Sequence, residues 1–119
     1  MKSKANKVND AGDQLKVGKP VRGSNTGKPI MVLLDLLGRR STLRLLWELR
    51  EGNSLTFRAL QAAADTNPSL LNTRLRELRD TQLVEHDGEG YTLTESGKGL
   101  LGALEPLTLW ASEWDPGEA

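Results

Sequence analysis

The sequence predicts a mainly helical α+β domain: several amphipathic helices, then one small antiparallel hairpin, then a last helix. Three observations carry this. Between residues 29 and 80, leucines recur at helical spacing in short segments separated by Gly, Pro and Asn. The period then changes to two across "QLVEH" and "GYTLT". Helical spacing returns after Thr94 and persists for several turns. At 119 residues the chain has room for one such domain.

Each element has its own warrant. "MKSKANKVNDAGDQLKVGKP…" has no hydrophobic period, so residues 1–28 are expected to be a disordered basic tail. The domain proper is expected over residues 29–115, with residues 116–119 a disordered end. Pro29 opens "PIMVLLDLLG", a short apolar helix expected to stop at Gly38. A second helix is expected through "STLRLLWELREG", with Ser41 or Thr42 as its cap and Gly52 as a left-handed stop. Leu45, Leu46 and Leu49 form its core face, which Leu43 and Trp47 are expected to widen. "NSLTFRALQAAAD" gives an extended piece at Ser54–Leu55 and a helix capped by Thr56, with Phe57, Leu60 and Ala64 inward. In "NPSLLNTRLRELRD", Asn67 is a good cap and Pro68 suits the first helical position. Leu71, Leu75 and Leu78 fall at i, i+4, i+7 and make one apolar stripe. "DGEG" joins the two alternating runs as a hairpin. Thr94 caps the last helix, where Pro106 is expected to introduce a kink. Helix, helix, short strand, helix, helix, hairpin, helix is the order of a winged helix-turn-helix, with flanking helices available for dimerisation. The third and fourth helices meet across a tight "DTN" turn, and the fourth takes the position of the reader.

Composition excludes several classes. The chain has no Cys and one His, His86, which removes disulfides, thiol sensing and a Cys- or His-rich metal site. The N-terminus lacks a signal-peptide pattern, and "IMVLLDLLG" is too short to span a bilayer. A cytoplasmic protein is therefore expected. The net charge is zero but unevenly spread: residues 1–28 carry +5, residues 29–79 carry +3 and residues 80–119 carry −8. The basic tail could add backbone charge to a polyanion-facing middle segment.

The chain resembles the HxlR family of bacterial transcriptional regulators, a branch of the MarR-like winged-helix group. The likeness spans about residues 30–115. "LLGRRSTLRLLWELREG" matches the family's Gly-basic-basic entry into the second helix, and "LTFRALQAAAD" its third. "NPSLLNTRLRELRDTQLVE" resembles the reading helix. "YTLTESGKGL" resembles the exit from the wing, and "PLTLWASEW" the closing Trp segment. Each piece alone is weak; in this order they are specific. The resemblance implies a DNA-binding regulator that works as a homodimer. The chain departs from the family in carrying Ser41 where a Trp is usual and Gln82 where a Gly is usual. It has no N-terminal sensing Cys. Its wing, "HDGEG", is short and acidic, and Asp87 and Glu89 at the tip would be repelled by phosphates.

Steps of 100° put Ser69, Asn72, Thr73 and Arg76 opposite the leucine stripe, with Arg74 and Arg79 on the flanks. Short polar groups around one Arg can approach base edges, Asn suiting adenine and Arg guanine. Flanking arginines suit phosphates. The bland reading is a solvated face on which these arginines pair with Glu77 and Asp80; the fold order favours DNA. Arg39, Arg40 and Arg58 are further phosphate candidates, because helix starts favour anions and the third helix crosses the backbone in this fold. Core packing is the default for Trp110 and Trp114, over any ligand role. His86 reads as an edge residue. Glu48 and Glu51 lack the cleft and partners of a catalytic pair, and no phosphate loop or metal spacing appears, so the chain is read as a non-enzyme needing no cofactor.

The first and last helices are too apolar for a small monomer, so a homodimer is expected through Leu33, Leu34, Leu37, Leu100, Leu104, Leu107, Trp110 and Trp114. The leading function is a dimeric, sequence-specific regulator binding double-stranded DNA. The alternative is a winged-helix protein-interaction module without DNA binding, supported by the acidic wing and zero net charge. A small-molecule effector beside the last helices stays open at this level.

Overall fold

A computed structural model describes residues 16–18 and 27–117. The expected N-terminal tail lies largely outside the described residues, as do the last two of residues 116–119. The elements run α1 (Pro29–Leu37), α2 (Thr42–Glu48), α3 (Phe57–Ala64), α4 (Pro68–Asp80), β1 (Val84–His86), β2 (Tyr91–Leu93) and α5 (Glu95–Ser112). This is the winged helix-turn-helix order.

The strands pair antiparallel, Val84 opposite Leu93 and His86 opposite Tyr91. The extended piece before α3 joins them through a bridge from Leu55 to Tyr91, with hydrogen bonds in both directions. Gly90 makes that approach feasible: a Cβ there would lie 2.5 Å from the Leu55 carbonyl oxygen. The core collects the inward leucines of the first four helices, Leu36 and Leu37 of α1, Leu45 and Leu46 of α2, Leu60 of α3, and Leu71, Leu75 and Leu78 of α4, with Leu49, Leu83, Val84 and Leu93; Leu100, Leu101 and Leu104 of α5 pack against it from outside. Burying a leucine contributes about 1.5–3 kcal/mol, so the α4 stripe alone is a major anchor for that helix.

The caps divide into those made and those not made. Thr56, Asn67 and Thr94 each accept from the backbone N–H three residues on, Ala59, Leu70 and Gly97. These satisfy donors that a helix start leaves without partners. At α2 the expected cap fails. Ser41 is the cap residue but sits at φ 75° and its side chain caps nothing; the Thr42 hydroxyl is buried with no partner among the described residues. The Arg39–Arg40–Ser41 turn is too tight for an extended cap residue. Nor does α2 reach Gly52. It ends at Glu48, where Leu49 N–H is shared between the Leu45 and Leu46 carbonyls and Arg50 and Gly52 bond three residues back. The chain tightens before Gly52 takes φ 86°.

Leu43 and Trp47 do not widen the core; they are 49% and 53% exposed. Trp47 is covered instead by the Arg50 guanidinium, 4.1 Å from the ring centroid. Helix α5 runs unbroken through Pro106. No described helix is long and apolar enough to cross a membrane.

Candidate nucleic-acid interface

Helix α4 begins where Asp65, at φ 52°, closes α3 and the chain turns through Thr66 and Asn67. Pro68 then starts the helix without wasting a donor. Leu71 and Leu78 are fully buried and Leu75 nearly so. With that stripe inward, Ser69, Asn72, Arg76 and Arg79 are exposed, and Thr73 is half-buried with its hydroxyl donating to the Ser69 carbonyl at 3.1 Å. The structure therefore brings the expected reading residues onto one outward face.

The phosphate candidates separate into two groups. Arg40, Arg58 and Arg79 are exposed and make no ion pair among the described residues. Arg39 and Arg74, expected on sequence to hold phosphates, instead turn their guanidiniums inward onto Glu77. Arg39 Nη1 lies 2.7 Å from Glu77 Oε2 while its Nη2 lies 2.9 Å from Asp35 Oδ2. Arg74 Nη1 lies 3.2 Å from Glu77 Oε1, and its Nε donates to the Arg40 carbonyl at 2.7 Å. Burial pulls the Arg39 pKa down, but hydrogen bonds to Asp35 and the charge of Glu77 outweigh it and hold the pKa above the ordinary arginine value. The cluster also explains how Asp35, 7% exposed, is tolerated within an apolar helix. Its i, i+4 spacing to Arg39 and the i, i+3 spacing of Arg74 and Glu77 are visible in the sequence. The contact that joins them spans 38 residues and is not.

The wing is built around its acidic tip. The Asp87 carboxylate accepts from the backbone N–H of Glu89 and Gly90, at 2.9 and 3.0 Å, and from the Ser54 hydroxyl. These hydrogen bonds, that of Ser54 first, hold its pKa below the ordinary value of 3.8. One of the two tip acids thus folds the turn. His86 packs edge-on against Tyr91, with ring centroids 4.7 Å apart, as an exposed strand residue.

A sequence profile of HxlR-like helix-turn-helix proteins matches residues 36–119. The chain belongs to the HxlR-like helix-turn-helix family. Among relatives, it is 30% identical to the uncharacterized HTH-type transcriptional regulator MJ0925 of Methanocaldococcus jannaschii, over 71% of this chain and 83% of that protein. It is 32% identical to the uncharacterized HTH-type transcriptional regulator YvaP of Bacillus subtilis, over 70% of this chain and 84% of that one. The crystal structure of quinone-bound YodB from B. subtilis superposes with a TM-score of 0.66 at 27% identity, over 72% of this chain and 98% of YodB. The HxlR-like chain is accordingly a DNA-binding transcriptional regulator, as its relatives are by name.

In this HxlR-like regulator the expected dimer residues fall into three settings. Leu37 is 7% exposed and belongs to the core, so it is not available to a partner. Leu33, Leu100 and Leu104 are half-buried and lean on the same core. Leu34 at 50%, Leu107 at 56%, Trp110 at 59% and Trp114 at 57% are exposed. The expectation that the two tryptophans pack in the core of the chain does not hold: they stack on each other, centroids 5.5 Å apart, beyond its reach. From Glu105 onward every residue of α5 is exposed among the described residues.

Proposed function

We propose that the chain acts as a homodimeric, sequence-specific regulator whose α4 reads bases through Ser69, Asn72, Thr73 and Arg76. Arg40, Arg58 and Arg79 hold phosphates beside it, and Arg39 and Arg74 support the helix from within. The observation that carries this reading is the split character of α4: its leucines are buried, and the opposite face presents short polar groups around one arginine. That surface can enter a major groove, where a bidentate Arg or Asn contact distinguishes one base pair from the others.

Dimerisation is supported by the exposed apolar side chains of α1 and α5, Ile30, Leu34, Leu107, Leu109, Trp110 and Trp114. Large apolar side chains left exposed in this number mark an association site. A twofold axis there sets two reading helices about 34 Å apart, one turn of DNA. The chain has no cysteine, so its regulation does not run through a thiol. Selection of bound duplexes from a random pool tests the whole reading. A single palindromic motif, with affinity falling steeply as salt rises, is expected; recovery of no motif would falsify sequence-specific binding.

A further inference from the structure

Glu77 stands on α4 between the outward Arg76 and the buried Leu78, yet its carboxylate faces the corner between α1 and α2. There it takes both Arg39, at 2.7 Å, and Arg74, at 3.2 Å. Arg39 reaches on to Asp35 of α1, and Arg74 to the Arg40 carbonyl just before α2. These side chains are shielded, from 3% exposed for Asp35 to 15% for Arg74. An exposed ion pair would hold little in place. This set is different, because charge-assisted bonds from a planar guanidinium fix direction as well as distance. The leucine stripe sets which face of α4 points outward, but apolar burial is non-directional and does not fix the finer angle. The stripe holds α4 against the core, and Glu77 ties its middle to the end of α1 and the backbone entering α2.

We propose that Glu77 is a positioning residue for base reading: through Arg39 and Arg74 it sets the rotation of α4, and with it the base edge that Arg76 meets. The proposal rests on the reading of α4 given above. It has a second consequence. Removing the Glu77 charge leaves Arg74 without its carboxylate on the flank of the reading helix, and an added cation there favours every DNA sequence alike.

The test compares dissociation constants for the selected site and a scrambled duplex across a salt series, for the wild type, Glu77→Gln and Arg39→Lys, each shown to be folded by circular dichroism. For Glu77→Gln the preference for the selected site should fall about tenfold or more, the scale of one bidentate base contact. Binding to the scrambled duplex should hold or tighten, with a salt slope steeper by roughly 1. A merely structural role would lower both affinities together and leave their ratio unchanged; that result in a folded variant overturns the proposal. If Glu77→Gln does not fold, Arg39→Lys decides. It keeps the charge but puts one ammonium where a fork spanned two carboxylates, and an unchanged ratio there also overturns the proposal. Arg76→Ala separates the two levels. A preference sensitive to Arg76 but not to Glu77 sinks this proposal alone, whereas insensitivity to Arg76 sinks the α4 reading beneath it.

Discussion

Gly97 faces the Leu83 carbonyl so closely that a Cβ on it would lie 2.2 Å from that oxygen. The same oxygen accepts from Thr94 N–H at 3.1 Å, and the Thr94 hydroxyl donates to the Gln82 carbonyl at 2.6 Å while accepting from Gly97 N–H. The start of α5 is thereby sewn to the segment that leaves α4. Gly97→Ala should destabilise the fold by about 2–3 kcal/mol, because the obstacle is backbone that cannot swing away. Gly99, two residues on in the same helix, has nothing within 4 Å of its would-be Cβ. Gly99→Ala should stabilise by about 0.5–1 kcal/mol through helix propensity. Urea unfolding of the pair checks both signs, and equal effects would show that the close approach to Leu83 is not real.

Gln82 gives a second stability test. It follows α4 at φ 64°, its N–H bonds to Arg79, and Leu83 N–H reaches back to the Leu78 carbonyl at 2.9 Å. This is the reciprocal pair of bonds that ends many helices, in which the left-handed position usually holds Gly. A side chain there costs roughly 1 kcal/mol, and Gln82 is exposed, so nothing is lost by removing it. Gln82→Gly should raise the melting temperature with no change in DNA preference.

Much of this was legible in the sequence. The caps at Thr56, Asn67 and Thr94, the hairpin and the leucine stripe of α4 all depend on neighbours a few residues away. What sequence could not show was which apolar residues a small core has room for. Leu37 and Leu34 are three apart on one helix, yet one is core and the other surface. Trp47 has the spacing of a core residue but lies where no described element covers it. Arg39 looks like a phosphate ligand because Glu77, which takes it, is 38 residues away. Arg74 lies three residues from Glu77, and there the pairing with a neighbour is the weaker of two readings until the fold shows it.

The wing should respond to acid in a defined direction. Asp87 has a folded-state pKa below its ordinary value of 3.8, because Ser54 and two backbone amides donate to the ionised carboxylate. A carboxylate depressed on folding adds stability above its unfolded pKa and loses it as pH falls through the folded value. Asp87→Asn should therefore speed amide exchange at Glu89 and Gly90 at neutral pH. Its melting temperature should trail the wild type there and converge with it as pH drops below the ordinary carboxylate range. A constant gap down to the lowest pH at which both fold would remove the charge from this account.

Trp110 tests the dimer. It is 59% exposed in the isolated chain and stacks on Trp114, near the end of α5. Trp110→Ser should leave the helical content of the chain nearly unchanged. If α1 and α5 form the dimer face, losing a large aromatic from it should shift the sedimentation equilibrium toward monomer, and truncation of an aromatic anchor commonly costs about 2 kcal/mol or more. Affinity for a palindromic site should fall with it, while affinity for a half-site should not. A variant as dimeric as the wild type would move the interface elsewhere.

Arg76 and Arg79 should behave as different kinds of contact although both are exposed on α4. Arg76 lies opposite Leu71 and Leu78, toward the floor of a groove the helix would enter. Arg79 lies near the helix end, on the flank, where a phosphate passes. An Arg–guanine contact is worth about 1–3 kcal/mol of discrimination, so Arg76→Ala should relax preference at one base pair in each half-site. Arg79→Ala should instead weaken binding to all sequences alike and lower the salt slope by roughly 1. Both side chains are exposed and neither lies on the buried stripe, so both variants should remain folded. Binding profiles that cannot be told apart would sink this division of roles, and a folded Arg76→Ala variant with wild-type preference would return α4 to a solvated face.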